Sequence, residues 1–170
     1  MAKGIRDVDK GWKDFRKRME GAKGKHVTKV GLPSGSTPAV VGKKGGNKPF
    51  LDLVQIAAVH EFGAPNRNIP ERSFIRSTTD EEKKNLAHIA NLQHQKFIAG
   101  KIDLKTALGI IGEYLTGKMK NKIRQRIPPP NSPQTIKRKT VQGKKGDVPL
   151  IDTGQLVQSI THVEHIQGAK

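Results

Sequence analysis

The apolar positions of the chain fall into blocks with different periods. Ile5, Val8, Trp12, Phe15 and Met19 recur at three- and four-residue spacing, which puts one apolar stripe on a helix over 5–22. Gly21 and Gly24 bracket its end. His26–Leu32 (HVTKVGL) alternates and is β-branched, the pattern of a strand. Residues 50–62 (FLDLVQIAAVHEF) predict a helix that stops at Gly63, with Pro65 beyond. Residues 66–76 (NRNIPERSFIR) predict an extended segment, because a residue before proline is pushed out of the α region. Pro70 would enter that strand, with Phe74 and Ile75 divided between its faces.

Thr79 or Asp80 can cap a helix over about 80–99, and Asp103 another over about 104–126. The second carries the stripe Leu104, Leu108, Ile111, Leu115, Met119 and Ile123, and Pro128-Pro129-Pro130 ends it. Ser132 is placed to cap a turn or two of helix to Lys139, with Pro133 at the first helical position. A basic, glycine-containing loop follows at 140–149. Asp152 can cap a short helix through Ser159, and Ile160–Ile166 (ITHVEHI) alternates like a closing strand. The sum is α+β: a small β-sheet packed with three or four helices, plus a long flexible arm at 33–49. The Gly, Pro, Ser and Lys of that arm cannot bury enough surface to order it alone.

Composition narrows the class. The 170 residues suffice for one domain, 1–170. Hydrophobic residues are 34% and aromatics 4%, which predicts a modest core. No run approaches the roughly 18 consecutive apolar residues of a membrane span, and the charged start MAKGIRDVDKGWKDF does not read as a secretory signal. With 0 cysteines, disulfide scaffolds, thiolate zinc sites and cysteine nucleophiles are excluded.

Charge changes the picture most. Lys+Arg is 32 against 15 Asp+Glu, a net of +17, which favours nucleic acid, an anionic surface or an acidic partner. Residues 1–48 carry 13 basic and 4 acidic side chains, 49–113 carry 8 of each, and 114–146 carry 10 basic and none acidic. In the last stretch Lys118, Lys120, Lys122, Arg124 and Arg126 spread around the exposed side of a helix, and Lys137, Arg138, Lys139, Lys144 and Lys145 continue the run. These ten are the candidate DNA- or partner-facing residues, against the plainer reading of a solvated charged face. Aromatic residues are too scattered for stacking on single strands, so any nucleic-acid contact would be electrostatic and sequence-blind.

Catalytic and metal chemistry find little support. His60-Glu61 would need a second histidine at position 64 for a zinc-protease motif, and Ala64 stands there. His26, His88, His94, His162 and His165 complete no ligand spacing. GLPSGS lacks the GxSxG frame of a nucleophile turn, and GKKGGNK lacks the GxxxxGK[ST] frame of a phosphate loop. The sequence therefore predicts no enzyme, no cofactor and no metal.

Three segments in succession carry a resemblance. They are IAAVHEFGA at 56–64, IPERSFIR at 69–76, and PPPNSPQT at 128–135 with Lys139, joined to LIDTGQLVQSI at 150–160. This order resembles the tail-completion and virion-morphogenesis proteins of long-tailed double-stranded DNA bacteriophages, which cap the tail or join it to the head. With flanking helix, the matched positions cover 56–76 and 107–163, a little under half the chain. The resemblance implies a virion neck protein, assembled in the host cytoplasm, that forms a homo-oligomeric ring, six subunits being favoured. Its implied neighbours are head-connector and tail-tube or terminator proteins, with non-specific contact to DNA in the lumen and no membrane. Glu61 and Arg72 are expected to pair with each other or across subunits. The alternative, which composition alone supports, is a free, sequence-independent nucleic-acid-binding protein.

Overall fold

The computed structural model describes residues 10–33, 52–144 and 146–167. Ile5, Val8, Lys145 and all but the first residue of the 33–49 arm lie outside them. The elements are α1 (Trp12–Gly21), β1 (His26–Gly31), α2 (Leu53–Phe62), a 3-10 turn (Pro65–Arg67), α3 (Ile75–Ile98), α4 (Leu104–Arg124), α5 (Pro133–Val141), α6 (Gln155–Ser159) and β2 (Thr161–Ile166). The class is α+β, as the sequence predicts, and two long helices dominate it.

α3 and α4 form a helical hairpin. Asp103 starts α4 by accepting the backbone N–H of Thr106 at 2.8 Å. β1 and β2, from opposite ends of the described chain, pair antiparallel from His26↔Ile166 to Gly31↔Thr161. In β2 the residues His162, Glu164 and Ile166 are half-buried while Thr161, Val163 and His165 face out. The sheet rests on α4, and Gly112 is where the two meet. A Cβ there would come within 2.6 Å of Thr28 Oγ1 and 2.7 Å of the His162 ring.

The core sits where α2, the entry to α3, the C-terminal half of α4 and α6 converge. Phe74, Met119, Ile123 and Ile160 are fully enclosed, and Ala57, Ile127, Leu156 and Val157 complete the cluster. The predicted stripe of α4 is buried only at Met119 and Ile123. Leu104, Leu108, Ile111 and Leu115 are half-buried, because a two-stranded sheet and one helix cover that end incompletely. None of the residues of α1 is buried, and Trp12 is 63% exposed while stacked on Phe15 at 5.6 Å between centroids.

Several local expectations are corrected. Residues 66–76 are not a strand: an isolated bridge joins Ala64 to Ile69, and α3 begins at Ile75 rather than near 80. Phe74 is the residue before the helix and Ile75 its first, so they do not straddle a sheet. Neither Thr79 nor Asp80 caps α3; its cap comes from another helix, as described below. Asp152 does not cap α6 either. Gly154 holds that position at φ +82°, and the Asp152 carboxylate pairs with Lys144 at 2.9 Å. The 140–149 loop begins only after α5 ends at Val141, and Gly146, Val148 and Pro149 within it are buried.

Candidate partner-binding groove

The site begins at the end of α2. Glu61 is buried there, and its carboxylate accepts the backbone N–H groups of Phe74 at 2.8 Å, Ile75 at 2.9 Å and Arg76 at 3.0 Å, plus the Ser73 hydroxyl at 2.7 Å. These are the first donors of α3, which have no partner within their own helix. A carboxylate suits them because the N-terminus of a helix carries partial positive charge. Arg76 Nε adds an ion pair at 3.2 Å. Burial alone would push the Glu61 carboxyl up. The hydrogen bonds from Ile75, Arg76, Ser73 and Phe74 outweigh it and hold the group below its ordinary value.

Glu61 and Arg72 therefore do not pair. Arg72 is also buried, and its guanidinium donates to the carbonyls of Pro129 at 2.7 Å and Pro130 at 3.0 Å. Its backbone N–H bonds the His60 carbonyl at 2.7 Å. The hydrogen bonds of both residues run to other segments of the same chain. Arg72 instead fastens the 63–72 loop to the proline segment. Gly63 makes the loop's tight start possible: at φ +74° a Cβ would lie 2.9 Å from the backbone nitrogen of Glu71.

On the far side, Ser132 caps α5 through the Thr135 N–H, as expected. α5 turns Lys139 inward, where it is 6% exposed. Its ammonium donates to the carbonyls of Val148 at 3.0 Å and Ile151 at 2.7 Å. Burial depresses its pKa first, an effect opposed by the field of Asp152 and reinforced by Lys144, Arg138 and Arg72. Leu150 nearby holds φ +61°, a left-handed backbone that leucine rarely adopts.

Between these walls runs a groove of about 1210 Å³. Its lining draws on α2 and the 63–72 loop, on 129–139, and on 150–156. Ile56, Val59 and Phe62 supply apolar surface, and Arg72, Arg138 and Lys139 supply charge. Segments far apart in sequence thus meet at one place. The His60 ring also lines it and has its pKa lowered, by burial first and then by Arg72 and Lys139.

The ten basic candidates differ in their surroundings. Lys118 pairs with Glu82 at 2.8 Å, Lys122 with Glu81, Arg126 with Asp147 at 2.7 Å and Lys144 with Asp152. Lys139 is buried, so it is not a DNA-facing residue. Lys120 is half-buried, Arg124, Lys137 and Arg138 are exposed, and Lys145 lies outside the described residues. The acids that neutralise the stretch come from α3 and from the segment after it, which a count confined to 114–146 misses. Sequence reasoning also missed Ser73 and Arg76 as partners of Glu61. For Lys139 a signal existed: it lies three residues after Ile136, on the same face of α5.

Among the described residues no group of three or more His, Cys, Asp or Glu could hold a metal ion, and no helix is long and apolar enough to cross a membrane. No protein-family model, curated protein or solved structure matches the chain.

Proposed function

We propose that this chain is a structural virion protein of a tailed double-stranded DNA phage, a neck-ring subunit that completes the tail or joins it to the head. One observation carries the reading. The segments with the tail-completion resemblance, 56–76, 128–139 and 150–160, fold against one another around a single groove. Their polar residues serve the fold: Glu61 caps α3, Arg72 ties two loops, and Lys139 holds the Val148–Ile151 turn. A ring subunit needs such a rigid frame. β1 and β2 pair only with each other among the described residues, so each has an edge onto which a neighbour can build. Heterologous contacts of that kind close into rings. Six copies, head-connector and tail-tube neighbours, and a DNA-containing lumen complete the proposal.

The ion pairs of Lys118, Lys122, Arg126 and Lys144 weigh against the free nucleic-acid-binding alternative, because paired cations release fewer counterions on meeting phosphate. Deleting the gene from a phage or prophage that carries it, then imaging the lysate, tests the reading. Filled heads beside unattached tails, some of abnormal length, are expected. Intact, infectious particles would overturn it.

A further inference from the structure

The groove holds buried positive charge that no ion pair among the described residues neutralises directly. Arg72 is 5% exposed and Lys139 6%, yet no carboxylate among the described residues lies within ion-pair distance of either. Their partners are neutral carbonyl oxygens. Two acids also line the groove, but Glu71 is held by Arg76 at 2.7 Å and Asp152 by Lys144 at 2.9 Å. Arg67 and Arg138 add two exposed cations to the lining. Charge buried without an opposite charge is costly, and an incoming anion would relieve it. The His60 pKa is lowered first by burial and then by Arg72 and Lys139, whose charges therefore act within the groove.

Apolar residues share the remaining lining with neutral polar ones such as Asn68, Asn131, Ser132 and Thr135. Ile56, Val59, Ile69 and Pro70 line the groove, and Phe62 is 64% exposed beside them. A phosphodiester chain gains nothing from such walls, whereas an extended peptide fills them with alternate side chains. The volume, about 1210 Å³, exceeds the roughly 300–1,000 Å³ of small-molecule pockets. We propose that the groove is a docking site for an acidic segment of a partner protein, its carboxylates meeting the exposed Arg67 and Arg138 within the field of the buried Arg72 and Lys139, and its apolar side chains meeting Ile56, Val59 and Phe62. This goes beyond the neck reading and does not depend on it: the groove would dock such a segment in any assembly.

The test presents short random peptides to the immobilised full chain, then titrates the selected peptides by fluorescence anisotropy. Selected peptides should carry Asp or Glu beside apolar residues. Their Glu→Gln versions should bind about tenfold more weakly, the scale of one lost charged contact. Arg138→Gln, at an exposed position, should weaken binding by a similar factor. Lys84→Gln, which removes the same charge from the exposed side of α3, should change it less than twofold. Hydrogen exchange should slow on binding at 53–72, 129–139 and 150–156. Four results each overturn the proposal: no peptide selected, neutral or basic peptides selected, equal losses in Arg138→Gln and Lys84→Gln, or protection elsewhere. A DNA duplex that displaces the peptides and protects the same residues would reassign the groove to nucleic acid. Normal virions after gene deletion would sink the neck reading and leave these outcomes unchanged.

Discussion

Glu61 and Arg76 are joined three times over. Glu61 Oε1 accepts the Arg76 backbone N–H at 3.0 Å and its Nε–H at 3.2 Å, while Arg76 Nη2 donates to the Glu61 carbonyl at 2.9 Å. The same guanidinium lies 4.8 Å above the Phe62 ring. The last turn of α2 and the first of α3 are thereby clamped, and the loop between them has a fixed path. That loop is one wall of the groove, so the clamp helps fix the groove's shape.

Glu61→Gln should therefore destabilise the chain by about 2–4 kcal/mol, the scale for leaving a buried network half-satisfied. Urea unfolding at neutral pH measures it. The pH dependence has a definite sign. The Glu61 carboxyl is held below its ordinary value in the folded chain, so its contribution is complete above the unfolded value of about 4.3. It fades as pH falls through the lower folded value. The gap between wild type and variant should shrink in that acid range, and a gap that stays constant would refute the role.

Two glycines of α4 make opposite predictions. Gly112→Ala should destabilise by about 1–3 kcal/mol, because its Cβ must displace Thr28 and His162 in the sheet. Gly117 has nothing within 4 Å of the same added atom. Gly117→Ala should stabilise by up to about 1 kcal/mol through helix propensity alone. Thermal unfolding of the pair separates packing from propensity.

These cases show which parts of the fold were legible in the sequence. α4 and α5 start where expected because their caps, Asp103 and Ser132, bond to residues three positions on. Gly63 marks the stop of α2, and the proline run follows the end of α4, through backbone geometry that is also local. The start of α3 was not legible, since its cap comes from Glu61, a full loop away. Nor was the neutralisation of Lys118 and Lys122, which depends on how α3 lies against α4. The groove was half legible. Its three segments stood out as motifs, but their meeting, and the burial of Lys139 and Arg72, are tertiary facts.

The Glu82–Lys118 pair offers a spectroscopic check on that helical hairpin. Hydrogen bonds from Lys118, Tyr114 and Asn85 lower the Glu82 carboxyl to about 2. Carboxyl-carbon NMR should find its midpoint well below the ordinary glutamate value. Lys118→Met removes the first of these partners and should move the midpoint up toward the ordinary range. Because the folded value lies below the unfolded one, the pair's stabilisation is present above about pH 4.3 and is lost as pH falls toward 2. A midpoint that Lys118→Met leaves in place would mean that α3 and α4 do not pack in this register.

Lys139 decides between a buried strut and a surface cation. As a strut, its loss by Lys139→Met leaves the Val148 and Ile151 carbonyls without a donor and should cost about 1–3 kcal/mol at pH 7. Burial lowers its pKa in the folded chain, so the unfolded chain binds the proton more tightly. Stability of the wild type should then rise relative to Lys139→Met as pH climbs through the folded value toward the unfolded value of about 10.4. The salt dependence of any DNA binding should be the same in both proteins, since a buried ammonium releases no counterion. Arg124→Gln, at an exposed position, should reduce that slope by about one unit if DNA contacts this face. A slope that drops in Lys139→Met without a loss of stability would return Lys139 to the surface.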